Sequence, residues 1–261
     1  VQGYDDIDQG LDWGSLQAIA LNQPYPMVFV TVSGAHLYGF ASPDSDVDLR
    51  GVHLLSAQKL LGLDELDQTL ETSSNEGFEL DLVTHDLGKF IKLMLRPNGY
   101  VLEQLYSPLV VLTSPEHEEL KQLGQGCITR HHVHHYLGFA RNQWGLFTKE
   151  NPPRIKPLLY VYRVLLTGIY LMQTGVIQAS LPRLNEQFRI EGIDELIRRK
   201  REEKEQAVMD EAQVQHHKQI YESLLERLNQ AGEQSSLPEA PSSRAGLDDL
   251  LIRLRKKSIC G

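Results

Sequence analysis

The stretch from Pro26 to Arg50 restricts the fold more than any other part of the chain. It opens with Met27-Val-Phe-Val-Thr-Val32, a β-branched and aromatic run bounded by Pro24 and Pro26 before it and Ser33-Gly34 after it. That pattern predicts a buried strand. Ala35 to Phe40 leaves room only for a short helix or turn, and Ala41-Ser-Pro-Asp-Ser45 carries loop residues. Val47 to Leu54 then predicts a second strand. Val47, Leu49 and Gly51 fall on one face of it, and Asp46, Asp48 and Arg50 on the other.

Two aspartates at i and i+2 of a strand project to the same side, with Cβ atoms roughly 6.5–7 Å apart. Carboxylates leaning together from such a base share hard cations, and paired catalytic metals stand about 3.5–4 Å apart. Mg²⁺ favours a few carboxylates completed by water and phosphate oxygens. A third strand is predicted over Phe78 to Val83. Phe78, Leu80 and Leu82 share one face and Glu79, Asp81 and Val83 the other, so Asp81 completes an acidic cluster if the strands are neighbours. Gly34, after a strand and before a turn, lets an anion approach backbone N–H groups. An Asp-x-Asp pair alone is usually surface charge. The order strand, Ser-Gly, second Gly, Ser-Asp-x-Asp, strand is the kit for transferring a phosphorus centre.

Around this stretch, Asp12 to Leu21 shows helical spacing. Thr84 and Asp86 supply N-cap chemistry for a helix through Leu95, stopped by Pro97-Asn-Gly99. Leu66 to Ser74 is polar and shows no assignable element. The second half reads as helices over Pro115–Gln122, Cys127–Phe147, Pro157–Gly175, Ile193–Leu228 (broken) and Leu247–Lys257, with a Ser- and Pro-rich loop over Gln230–Gly246. The expected fold class is α/β (α+β): a small mixed sheet with flanking helices over 1–110, then a helical C-terminal domain over 111–261 that closes a cleft on the site.

Lys plus Arg is 26 and Asp plus Glu 35, a net charge of −9 over 261 residues. That excess of acid opposes a role in coating duplex nucleic acid. Cys127 and Cys260 cannot build a disulfide framework, which suits a reducing compartment. The most apolar region, Leu158 to Met172, is interrupted by Arg163, Thr167 and Gly168, so no membrane span is expected. The first residues, with Asp5, Asp6, Asp8 and Asp12, lack the pattern of a signal peptide. A cytoplasmic setting is expected.

Other charged residues carry two readings each. Arg50 shares the side of Asp48 and either approaches a phosphate or pairs with an Asp. Lys156, Tyr160 and Arg163 share one helix face. Arg163, in an apolar helix, is an internal ion-pair partner or a phosphate clamp at the interdomain cleft. Arg198-Arg-Lys-Arg201, followed by Glu202-Glu-Lys-Glu205, reads as a solvated helix face. Cys127, His131 and His135 at helical spacing suggest a minor alternative, a zinc site. Trp13 and Trp144 read as packing residues.

Gly34-Ala-His-Leu-Tyr-Gly39-Phe-Ala-Ser-Pro-Asp-Ser45-Asp46-Val-Asp48-Leu-Arg50 resembles the polymerase β-like nucleotidyltransferase superfamily. More narrowly, it is similar to the pattern Gly-Ser-Arg-Ala-Tyr-Gly-Phe-Ala-Ser-Pro-Asp-Ser-Asp-Tyr-Asp-Val-Arg of bacterial and phage predicted nucleotidyltransferases, some labelled RNA-repair-associated. Lys89 to Asn98 with Glu103, and Lys156-Pro-Leu-Leu-Tyr-Val-Tyr-Arg163 leading to Thr174-Gly175, resemble the same group. The resemblance implies Asp46, Asp48 and Asp81 as catalytic Mg²⁺ (or Mn²⁺) ligands. It implies Ser33, Gly34, Ser45, Arg50, Lys156 and Arg163 as contacts to a nucleoside triphosphate donor. The implied reaction moves a nucleoside monophosphate to an acceptor hydroxyl on RNA, protein or a small molecule, releasing pyrophosphate. The family's Gly-Ser is Gly34-Ala35 here and its next Arg is His36. Ala35 favours the alternative of a non-catalytic nucleotide-binding or antitoxin-like module.

Overall fold

The computed structural model describes residues 10–63, 65–74, 79–203 and 208–257. Asp5, Asp6, Asp8, Phe78, Lys204, Glu205 and Cys260, each used above, lie outside them. The chain forms two compact units. One comprises Val1–Leu37, Asp46–Cys127 and Ala240–Gly261; the other comprises Tyr38–Ser45 and Ile128–Glu239. The division therefore differs from a single cut near residue 110. A short loop of the motif groups with the helices, and the C-terminal segment groups with the sheet.

In the first unit the apolar run becomes β1 (Met27–Val32), and the segment after Ser33 becomes the short α2 (Gly34–Tyr38). The acidic strand is β2 (Val47–His53), and the third predicted strand is β4 (Leu80–Asp86). A polar edge strand, β3 (Thr69–Ser74), and the short β5 (Val110–Leu112) complete a mixed sheet of order β3-β4-β2-β1-β5. Only β2 and β4 run parallel; the other neighbours are antiparallel. Strand alternation sorts the side chains cleanly. Val47, Leu49, Leu80 and Leu82 are buried, while Asp48, Arg50, Asp81 and Val83 are only partly covered.

Helices cover the sheet near Phe29 and Val52. These two residues join a core with Leu87, Phe90 and Met94 of α4 (Leu87–Met94), Val101 and Leu105 of α5 (Gly99–Leu105), Leu120 of α6 (Pro115–Gln125), and Leu247, Leu250 and Leu254 of α12 (Arg244–Lys257). The apolar spacing of α12 decides its place: its Leu247, Leu250 and Leu254 lie on one helical face and are buried. Asp86 ties this corner together. It caps α4 by accepting from Gly88 N at 2.9 Å, accepts from Leu55 N at 3.1 Å, and meets Arg255 Nη2 at 2.7 and 2.6 Å through its two oxygens. Pro97-Asn-Gly99 stops one helix and starts the next, since Asn98 Oδ1 accepts from Tyr100 N at 3.2 Å. The unit also contains α1 (Trp13–Leu21) and α3 (Ala57–Leu61).

The second unit is built on α7 (His132–Lys149), α8 (Ile155–Thr174), α9 (Leu181–Phe188), α10 (Ile193–Glu203) and α11 (Glu211–Gln234). Close approach is set by glycine: a Cβ on Gly168 of α8 would stand 2.8 Å from the Tyr136 Cβ of α7. Trp144 stacks on Tyr221 at 4.2 Å, and Tyr162 Oη meets His217 Nδ1 at 2.6 Å. Contrary to expectation, α8 is long and apolar enough to cross a membrane by length and composition, with mean hydropathy 1.3. Of its most apolar stretch 78% is buried within the protein, as in a core helix.

Two further expectations are corrected. Because α7 begins at His132, Cys127 and His131 precede the helix, and among the described residues no three His, Cys, Asp or Glu side chains are grouped to hold a metal. Cys127 is buried with its thiol pushed up to about 11 by burial, and His131 Nε2 sits 3.0 Å from Glu239 Oε2. The basic run of α10 is not uniformly solvated either. Arg198 pairs outward with Glu195 and Glu202, but Lys200 is buried and donates to Ser42 Oγ at 2.8 Å, and Arg201 donates to Gly39 O at 2.9 Å.

Candidate active site

Parallel pairing of β2 with β4 places Asp48 directly opposite Asp81. Neighbouring strands stand about 4.8 Å apart, so the two carboxylates rise side by side from one sheet face. Arg50, one pleat further along β2, fills the space between them. Its Nη2 lies 2.8 Å from Asp48 Oδ1 and 3.2 Å from Asp81 Oδ2. Its Nη1 donates to the backbone oxygens of Leu49 at 2.8 Å and Asp81 at 2.9 Å, and Nε donates to Tyr100 Oη at 3.0 Å. A guanidinium has five N–H donors; four of these contacts are hydrogen bonds, and the approach to Asp81 Oδ2 is an ion pair. Of the two sequence readings of Arg50, the pairing with aspartate is present in the structure.

The electrostatics follow from this crowding. Burial raises the Asp48 pKa above the usual carboxylate value; Asp46 and Asp81 push the same way, while Arg50 pulls down without prevailing. For Arg50, burial opposes the charge, but Tyr100, Asp48 and Asp81 outweigh it and hold its pKa above the ordinary value. The side chain of Asp81 is 42% exposed against 21% for Asp48, so the cluster opens to solvent on the Asp81 side. Asp46 is half-buried just before β2.

Gly34 is explained by the same geometry. Its φ is +60°, and a Cβ there would stand 1.9 Å from Asp48 Oδ2. Glycine at this point makes room for the carboxylate itself. Ser33 donates its backbone N–H to Asp48 O at 2.8 Å, while its Oγ is buried and has no hydrogen-bond partner among the described residues. Ser45 Oγ accepts from Ser42 N at 3.0 Å and lies 3.1 Å from Ser42 Oγ, the atom that Lys200 holds.

Asp46, Asp48, Asp81, Arg50, Ser33 and Gly34 belong to the sheet unit; Ser45, Lys156 and Arg163 belong to the helical unit. Arg163 is buried, with its guanidinium carbon 4.0 Å from the Tyr38 ring centroid and 5.9 Å from that of Phe139. Tyr160, on the same face of α8, meets Tyr38 and Phe40 edge-on. Sequence reasoning missed Tyr100 and Lys200. No spacing rule joins Arg50 to Tyr100 or Ser42 to Lys200; a buried lysine inside a run of alternating charge gives no local sign.

Among the described residues, no three His, Cys, Asp or Glu side chains form a ready-made metal-binding group. The donor chemistry nevertheless suits a hard cation. Only carboxylate oxygens are offered, and Asp48 Oδ2, which Arg50 does not take, lies against Gly34 in a site where burial and like charge favour added positive charge.

The class is set by a family match, to a DNA polymerase beta family. Residues 12–253 match the RNA repair pathway DNA polymerase beta family, RlaP, and the chain belongs to that family. It is 36% identical over 149 residues to the uncharacterized protein MJ0002 of Methanocaldococcus jannaschii, covering 57% of this chain and 61% of that protein. It is 25% identical over 164 residues to the uncharacterized protein YcgL of Bacillus subtilis, covering 62% of each. The chain thus spans about three fifths of the length of these relatives. A nucleotidyltransferase-like protein from Exiguobacterium sibiricum aligns with a TM-score of 0.31 and 11% identity, over 94% of this chain and 76% of that one.

Proposed function

We propose that this protein is a metal-dependent nucleotidyltransferase that moves a nucleoside monophosphate from a nucleoside triphosphate to an acceptor hydroxyl, with an RNA end as the acceptor. The observation that carries the reading is the register of Asp48 with Asp81 across parallel strands, bridged by Arg50. The acceptor class rests on the RNA repair pathway named in the family description. Cytoplasmic residence belongs to the same proposal and is supported by the buried free thiol of Cys127.

In this reading the acceptor oxygen forms a bond to the α-phosphorus as the bond from that phosphorus to pyrophosphate breaks. Asp46 and Asp48 would hold Mg²⁺ or Mn²⁺, which would supply charge neutralisation for the triphosphate. Asp81, the more exposed carboxylate, takes the proton from the acceptor hydroxyl while Arg50 fixes its orientation. Gly34 leaves room for the Asp48 carboxylate that would hold the ion.

Labelled triphosphates with Mg²⁺ or Mn²⁺, offered to pools of RNA, protein and small acceptors, test the assignment. Label should move to RNA with pyrophosphate release, and both should vanish in EDTA and in the double variant Asp46→Asn, Asp48→Asn. Unchanged turnover in that folded variant would reject the reading. The second reading, a non-catalytic nucleotide-binding module, is favoured by Ala35 together with the buried Ser33 and engaged Ser45 hydroxyls. Calorimetric binding of a triphosphate without pyrophosphate release would select it.

A further inference from the structure

We infer that Arg50 is a built-in cation of the acid cluster, neutralising Asp48 and Asp81 from within the fold, so that the nucleotide-free site takes one divalent ion rather than two. The inference rests on the metal-binding role proposed above for these carboxylates.

Three features carry it. First, the guanidinium is placed by the sheet as much as by the acids: Leu49 O and Asp81 O are main-chain atoms of paired strands, and Tyr100 Oη closes the third side. A side chain held this way does not swing off when an ion arrives. Second, an arginine does not lose its proton in a protein, so the charge is permanent. Counted at formal charge, three carboxylates and one guanidinium sum to −3 + 1 = −2, the balance for a single divalent ion. Third, the oxygens are divided. Arg50 Nη2 takes Asp48 Oδ1 and Asp81 Oδ2, while Asp48 Oδ2 is left against Gly34. Asp81 is therefore oriented by arginine and available as a proton acceptor, and an ion brought in by the triphosphate would be additional to the resident one.

The test needs no nucleotide and no turnover. Purified protein is titrated with Mn²⁺, with free Mn²⁺ read by electron paramagnetic resonance, and melted in EDTA and in Mn²⁺. Wild type should take one ion per chain. Arg50→Gln should take a second ion or bind the first at least tenfold tighter, and should melt lower than wild type in EDTA with a larger recovery on adding Mn²⁺. Arg50→Lys, which keeps the charge with at most three donors, should stay at one ion; it also serves if the glutamine variant does not fold. Equal number and affinity in wild type and Arg50→Gln, two ions in wild type, or a second ion in Arg50→Lys would each overturn the role of Arg50 and leave the proposed reaction standing. No Mn²⁺ uptake by any of the three would overturn the resident-ion site, and with it this inference, while the labelled-triphosphate assay still decides the reaction.

Discussion

Gly34 shows how much one residue carries. A left-handed backbone costs a residue with a Cβ about 1–2 kcal/mol, and a Cβ at 1.9 Å from Asp48 Oδ2 must also displace that carboxylate. Gly34→Ala should therefore lower stability by at least about 1–2 kcal/mol and weaken Mn²⁺ uptake tenfold or more. Gly175 is the matched control. It caps α8 at φ +71°, and its nearest contact for an added Cβ is 3.4 Å away. Gly175→Ala should show a similar backbone penalty in urea unfolding while Mn²⁺ uptake stays at the wild-type level. Equal loss of uptake in both would mean that Gly34 acts only through the fold. The same scale shows what a motif hides. Arg50 reads in sequence as an even choice between phosphate and aspartate, and the choice is made by two main-chain oxygens and a tyrosine.

Elements whose side chains record their surroundings are legible in the sequence. The buried run of β1, the alternation of β2 and β4, and the capping of α4 by Asp86 all follow from residue patterns. The edge strand β3, Thr-Leu-Glu-Thr-Ser-Ser, was not legible. It is partly exposed and polar, and is held to β4 by its antiparallel ladder, which any sequence without proline can supply. The helix α12 is legible as a helix but not in its destination. Its Arg255 closes on Asp86 and on Leu55 O, and Asp86 is almost wholly buried. Removing one partner of such a pair costs about 3–5 kcal/mol. Asp86 keeps two backbone donors, so Arg255→Ala should cost about 3 kcal/mol in urea unfolding monitored by tryptophan fluorescence. A loss under about 1 kcal/mol would show the pair to be no more than a surface bridge.

For the whole molecule, acid stability follows from buried histidines. Burial lowers His53, His117, His135 and His217 to about 4 each, and they are divided between the two units. The unfolded chain takes up these protons near the ordinary pKa of 6.5, before the folded one does. Stability from each is thus complete above that value and lost as pH falls toward 4. The expected loss is on the order of 1–2 kcal/mol per histidine by pH 5, and calorimetry should show the melting temperature lower by about ten degrees or more at pH 5 than at pH 7. An unchanged melting temperature over that range would mean that these histidines protonate within the fold.

By itself the sequence determined β1, β2 and β4, most of the helices, the acidic motif and the family resemblance, because periodicity, caps and close-spaced motifs are local properties of a chain. Only the tertiary structure decided that Asp81 stands opposite Asp48, that Arg50 lies between them, and that Lys200 is buried against Ser42. These are meetings between segments tens to more than a hundred residues apart. They are fixed by strand register and by which helix face finds a core, and neither quantity is written in the spacing of neighbouring residues.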